Sequence, residues 1–127
     1  MCRKQQFFIC EICKNLIGKI EGGASPITCC GKPMTELVPN TVEASVEKHL
    51  PAVRFEGDEM IVDVGSVLHP MSAEHYISFV YVETEKGGQR KCFELETDPT
   101  AKFVFKDDKP VAVYAYCNLH GMWKTEL

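Results

Sequence analysis

Most of this chain past residue 40 falls into short, β-rich hydrophobic runs separated by polar turns, and no 3.6-residue apolar repeat persists long enough for a substantial helix. Val53 to Phe55 and Met60 to Val64 flank a Glu56-Gly57-Asp58-Glu59 turn and read as a hairpin. Tyr76 to Thr84 is a long β-rich run, predicted to carry Ile77, Phe79 and Tyr81 on one face. Gly87-Gly88 then turns the chain into Lys91 to Leu95, and the runs Lys102 to Lys106 and Val111 to Tyr116 complete the set. Short strands broken by turns every ten residues or so predict an antiparallel β-sandwich.

The pattern changes near Pro39-Asn40. Before that point short β-like segments (Phe7-Phe8-Ile9, Leu16 to Ile20, Ile27-Thr28, Met34 to Val38) are interrupted by a Gly22-Gly23 turn and by cysteines. Roughly forty residues bury too little apolar surface to fold unaided, and chains of that size rely on disulfides or metal. Two domains are therefore expected, residues 1–38 as a small metal-stapled head and residues 39–127 as the sandwich, giving an all-β protein.

Composition narrows the function. In 127 residues with a net charge of −4 there is no basic excess of the kind a general nucleic-acid binder carries. No apolar run approaches the ~18 residues of a membrane span. The start, Met1-Cys2-Arg3-Lys4-Gln5-Gln6, lacks the long apolar stretch of a secretory signal, so the cytoplasm is the expected compartment. In that setting seven cysteines point to metal ligation or redox chemistry before disulfides.

Four of those cysteines lie in the head. Cys10 and Cys13 can grip a metal from one tight turn, and Cys29 and Cys30 follow at zinc-ribbon distance. Cys29 and Cys30 are adjacent, so both reach one ion only if the backbone there is contorted. Four thiolates suit zinc or a single iron, and spacing leaves the two open. Cys2 reads as a terminal thiol and Cys92, inside a strand-like run, as a packing residue. Singly, His69 before Pro70 could be a turn residue and His75 could cap a strand. All four histidines (His49, His69, His75, His120) lie in the second domain, however, and Cys117 stands three residues before His120. That is soft nitrogen and sulfur enough for one redox metal.

Short motifs in order then carry a resemblance. Glu47-Lys48-His49-Leu50-Pro51, His69-Pro70-Met71, Glu74-His75-Tyr76-Ile77 and Cys117-Asn118-Leu119-His120-Gly121 closely resemble desulfoferrodoxin, the two-iron form of superoxide reductase. Cys29-Cys30-Gly31-Lys32-Pro33-Met34 extends the likeness to the head, so it covers essentially the whole chain. The resemblance implies a desulforedoxin-like Fe(Cys)4 centre on Cys10, Cys13, Cys29 and Cys30. It implies a neelaredoxin-like, immunoglobulin-like sandwich whose iron takes His49, His69, His75 and His120 as equatorial ligands and Cys117 as axial thiolate. The activity implied is one-electron reduction of superoxide to hydrogen peroxide in oxidative-stress defence. Lys48 would then draw in the anion and aid protonation, and Glu47 would be the carboxylate that closes the open position of the ferric form. A rubredoxin-like electron donor and a homodimer are also implied, and whether the head relays electrons is left open. The main rival is a cupredoxin-like electron carrier built on Cys117, His120, Met122 and an upstream histidine. A zinc-ribbon interaction module and a dismutase are the others.

Overall fold

The computed structural model describes residues 2–127 and divides into two compact units, Met1–Val38 and Pro39–Leu127. In the first, β1 (Gln6–Ile9) pairs antiparallel with β2 (Leu16–Lys19), while β3 (Thr28–Cys29) and β4 (Lys32–Pro33) form a separate ribbon. β5 (Thr35–Glu36) closes on the other edge of β1, giving the order β2-β1-β5. Among the described residues of this unit the buried apolar ones are Phe7, Ile9 and Cys10, too few to outweigh the chain entropy of so many residues.

The second unit is a two-layer sandwich. After the one-turn α1 (Val46–His49), β6 (Pro51–Glu56) and β7 (Glu59–Val64) form the expected hairpin. β8 (Ile77–Thr84), β9 (Gly87–Cys92), β10 (Thr100–Val104), β11 (Pro110–Cys117) and β12 (Gly121–Glu126) follow. One sheet has the order β10-β7-β6 and the other β12-β11-β8-β9. Met60, Val62, Val64, Ala101 and Phe103 of the first sheet meet Ile77, Val80, Val82, Val113, Ala115 and Cys117 of the second in one buried cluster. The all-β, antiparallel architecture read from short strands broken by turns is thus the one observed.

Four local expectations change. Ile77 shares the core face with Val80 and Val82 rather than a face with Phe79 and Tyr81. The pairing shifts between Tyr116↔Phe79 and Cys117↔Ile77, and the extra residue, Ser78, reverses the parity of the strand. The β8–β9 turn is made by Glu85-Lys86, with Thr84 opposite Gly87, so the two glycines belong to the strand. There is a practical reason at Gly88: a Cβ there would fall 2.2 Å from the Tyr81 hydroxyl. Finally, β12 lies beyond the last strand expected. Met122 and Trp123 are both buried, on opposite faces, which hides its alternation from a period-two reading. Cys92 is exposed at the end of β9, with its Sγ 2.9 Å from Arg90 Nη1, and so does not pack as expected; Cys2 is exposed.

Candidate metal centres

The head cysteines are gathered by backbone turns. The Cys10 N–H bonds to the Asn15 carbonyl and the Lys14 N–H to the Cys10 carbonyl, each at 2.8 Å, folding the Cys10–Cys13 segment into a tight knuckle. On the other arm Cys30 has φ +52° and Gly31 φ +75°, two left-handed residues in succession. This is the contortion that adjacent ligands require. Cys10, Cys13, Cys29 and Cys30 each offer a sulfur, all within 4.8 Å of one another. The Cys13 N–H points at Cys10 Sγ at 3.5 Å and pulls that thiol down to about 6. Sharing hydrogen bonds with Cys13 and Cys10 instead raises Cys29 and pushes Cys30 up to about 12. One thiolate forms readily and further negative charge is resisted, a set that is completed by a cation.

In the sandwich, the side chains converge from the end of α1, the turn after β7, the segment before β8 and the β11–β12 hairpin. α1 ends on His49, and Ser45, four residues back, presents its carbonyl to His49 Nδ1 at 2.6 Å. The turn after β7 delivers His69, whose Nδ1 lies 2.6 Å from the Pro70 carbonyl. A carbonyl can only accept, so each Nδ1 carries the proton and each Nε2 presents a lone pair. Those two acceptors, His49 Nε2 and His69 Nε2, face each other at 3.1 Å. Two neutral imidazole nitrogens bound at about 2.1 Å to one ion, at right angles, stand about 3.0 Å apart. His69 Nε2 is also 3.4 Å from Cys117 Sγ, and among the described residues His75 Nε2 is buried without any hydrogen-bond partner. Among the described residues, His49, His69, His75 and Cys117 place four ligand atoms within 4.8 Å of one another. His120 adjoins this set: its Nδ1 is 3.1 Å from His49 Nε2 and 3.9 Å from Cys117 Sγ. Opposed lone pairs and an orphaned buried nitrogen are what a bound metal would satisfy, so the residues fit the group.

The β11–β12 hairpin explains how Cys117 and His120 share one site. Cys117 pairs with Gly121, so only Asn118, Leu119 and His120 form the loop, and the His120 N–H points back at Cys117 Sγ at 3.4 Å. Burial pushes the Cys117 thiol up, and the His120 and Leu119 amides offset part of that rise. Burial also holds His49 and His75 below the usual imidazole range and brings His69 to about 4, so these three rings are neutral donors at neutral pH.

Glu47 and Lys48 are both exposed on α1, next to buried His49. The backbone N–H of Glu47 itself, with the Lys48 charge, holds the Glu47 carboxyl below its usual range. Lys48 is among the charges that disfavour protonation of His49 and His75, after burial and the nearer groups. Met122 pairs with Tyr116 and therefore faces away from Cys117, which removes the thioether that a blue-copper reading needs. A residue the motifs did not single out is Trp123. Its indole stacks on His49 with centroids 5.1 Å apart, and its Nε1–H donates to the His120 carbonyl at 3.1 Å. As the one tryptophan of the chain, three residues after His120, it was visible as a candidate.

Fold and clusters together define a class: small all-β metal-binding proteins with a four-thiolate head and an imidazole–thiolate centre in a sandwich. Comparison with known proteins makes the class specific. Residues 41–126 match the family model for desulfoferrodoxin, and residues 2–37 that for the desulfoferrodoxin N-terminal domain. The chain is 40% identical over 126 residues to desulfoferrodoxin of Syntrophotalea carbinolica, covering 99% of each. It is 34% identical to that of Nitratidesulfovibrio vulgaris, again over 99% of each. The crystal structure of the superoxide reductase from Treponema pallidum superposes with a TM-score of 0.81 at 37% identity, over 98% of this chain and 100% of that one. The chain belongs to the desulfoferrodoxin family.

Proposed function

We propose that this protein is a superoxide reductase, converting superoxide to hydrogen peroxide by one-electron reduction as a defence against oxidative stress. The observation that carries the reading is the His49, His69, His75 and Cys117 set, buried but for half-buried His75, with its opposed Nε2 lone pairs. His49, His69, His75, His120 and Cys117 would hold one iron and Cys10, Cys13, Cys29 and Cys30 the other, zinc being the alternative in the head. When bound, a ferrous ion in the histidine centre supplies the electron and an open coordination position.

The chain's own residues supply the rest. The Ser45 and Pro70 carbonyls fix the tautomers of His49 and His69, so both nitrogens are ready without losing a proton. The His120 N–H holds the Cys117 sulfur as an acceptor and moderates its donation. Lys48 provides local positive charge on an acidic protein, steering the anion toward His49 and assisting proton delivery to the product. Glu47 would be the carboxylate that closes the oxidised centre, which requires it to leave its own backbone N–H. Residues 1–38 and 39–127 serve as the thiolate and catalytic domains. A rubredoxin-like protein supplies the reducing electron, and the chain works as a homodimer in the cytoplasm. Among the described residues no helix is long and apolar enough to cross a membrane.

Rapid mixing of the reduced, iron-loaded protein with superoxide tests this directly. Reduction gives one peroxide per superoxide and no oxygen. Dismutation gives one peroxide for every two superoxides, with oxygen released. No acceleration over buffer would overturn the assignment and leave an electron carrier.

A further inference from the structure

His75 lies outside the ladder that fixes its neighbours. The last pairing of β8 with β11 is Ile77 with Cys117, after the register shift, and the Ile77 N–H goes to Met71 Sδ at 3.3 Å. On one side, Ser72 closes a turn on His75 through paired backbone bonds of 3.0 and 3.2 Å. On the other side stands Asn118. Its side-chain carbonyl accepts the Tyr76 N–H at 2.8 Å, and its carboxamide donates to the Glu74 carbonyl at 3.0 Å. Its backbone N–H donates to the Tyr76 carbonyl at 3.2 Å. Glu74 and Tyr76 flank His75, and Cys117 precedes Asn118. One residue, adjacent in the chain to the thiolate, thus grips both flanks of an imidazole.

We propose that Asn118 is a positioning residue that holds His75 in register with Cys117, so that imidazole and thiolate meet the same ion; this rests on the histidine–cysteine centre assigned above. The chemistry of the side chain suits the task. Bridging an N–H and a carbonyl two residues apart takes a donor and an acceptor on one rigid planar group, which asparagine has. Aspartate keeps the acceptor and sets a second oxygen against the Glu74 carbonyl. Alanine leaves the Tyr76 N–H and the Glu74 carbonyl to find water, and frees the segment that carries His75.

The test compares wild type with Asn118→Ala, His75→Ala and the double variant, each as the full chain loaded with Fe(II) alone. Release of iron from this centre to a chelator is followed by the emission of Trp123, which stacks on His49. Loss of a group that orients a metal ligand costs 10- to 100-fold in affinity, so Asn118→Ala is expected to speed release by about that factor. In the His75→Ala background the same change should add almost nothing, because there is no imidazole left to position. Equal release from wild type and Asn118→Ala overturns the proposal, as does an undiminished effect in the His75→Ala background, which marks a general structural role. If Asn118→Ala does not fold, Asn118→Asp replaces it, with an increase of a few-fold expected and wild-type release as the refuting result. Should His75→Ala and Cys117→Ser both release iron as slowly as wild type, the centre itself is wrongly assigned and the proposal falls with it.

Discussion

Replacing Gly65 with alanine should disable the histidine centre without touching any of its ligands. A Cβ on Gly65 would stand 2.7 Å from both the Glu47 and the Leu50 carbonyl oxygens, about 0.7 Å inside ordinary van der Waals contact. Both oxygens are backbone, so no side-chain rotation relieves the overlap, and the 47–50 segment must shift with His49 in it. The shift also strains the bonds that the Glu47 carbonyl accepts from the Val67 N–H at 2.9 Å and from Ser66 Oγ at 3.3 Å. Overpacking costs about 1–3 kcal/mol and a weakened hydrogen bond about 1 kcal/mol, so about 2–4 kcal/mol of stability is lost. For a domain of this size that lowers the melting temperature by on the order of 10–20 °C. Circular dichroism melts and urea titration of Gly65→Ala give the stability, and the quenching of Trp123 emission by added Fe(II) gives the affinity, expected to fall at least tenfold. A variant within 0.5 kcal/mol of wild type and with unchanged Fe(II) affinity would refute the reasoning, because it would show the loop moving freely.

Further outcomes follow from charge and size. His69 binds its proton more weakly folded, at about 4, than at its ordinary 6.5, so the unfolded state takes up protons first as pH falls. Stability of the metal-free second unit is therefore highest above pH ~6.5 and declines toward pH ~4, by about 2 kcal/mol from this group after allowing for solvent screening; denaturant melts across that range measure it. Stripping the metal should unfold Met1–Val38 while leaving the sandwich folded, seen as rapid proteolysis confined to the head, and intact resistance there would mean its apolar core suffices. Lys48→Ala should lower the second-order rate with superoxide severalfold at low ionic strength, with the gap closing at high salt as the charge is screened. A rate unchanged at every ionic strength would remove the steering role.

Residue identity carried most of the site. Cys10, Cys13, Cys29, Cys30, the histidines and Cys117 are legible because thiolates and imidazoles in such numbers have few other uses in one small chain. Short β-rich runs broken by turns likewise decided an all-β architecture, since strands joined by tight turns leave that trace. What needed the tertiary structure is whatever depends on parity or on a distant backbone. One extra residue at Ser78 moves Ile77 to the core face, and the pairing of Met122 with Tyr116 turns it away from Cys117. No local pattern records either, because a slip of one residue reverses every side chain that follows. The tautomers of His49 and His69 were set by the Ser45 and Pro70 carbonyls, and the position of His75 by Asn118 across the sheet end. The sequence thus determined which atoms are available to a metal, and packing decided which nitrogen of each ring points at it, because backbone carbonyls are present at every residue and only the fold selects the ones that bind.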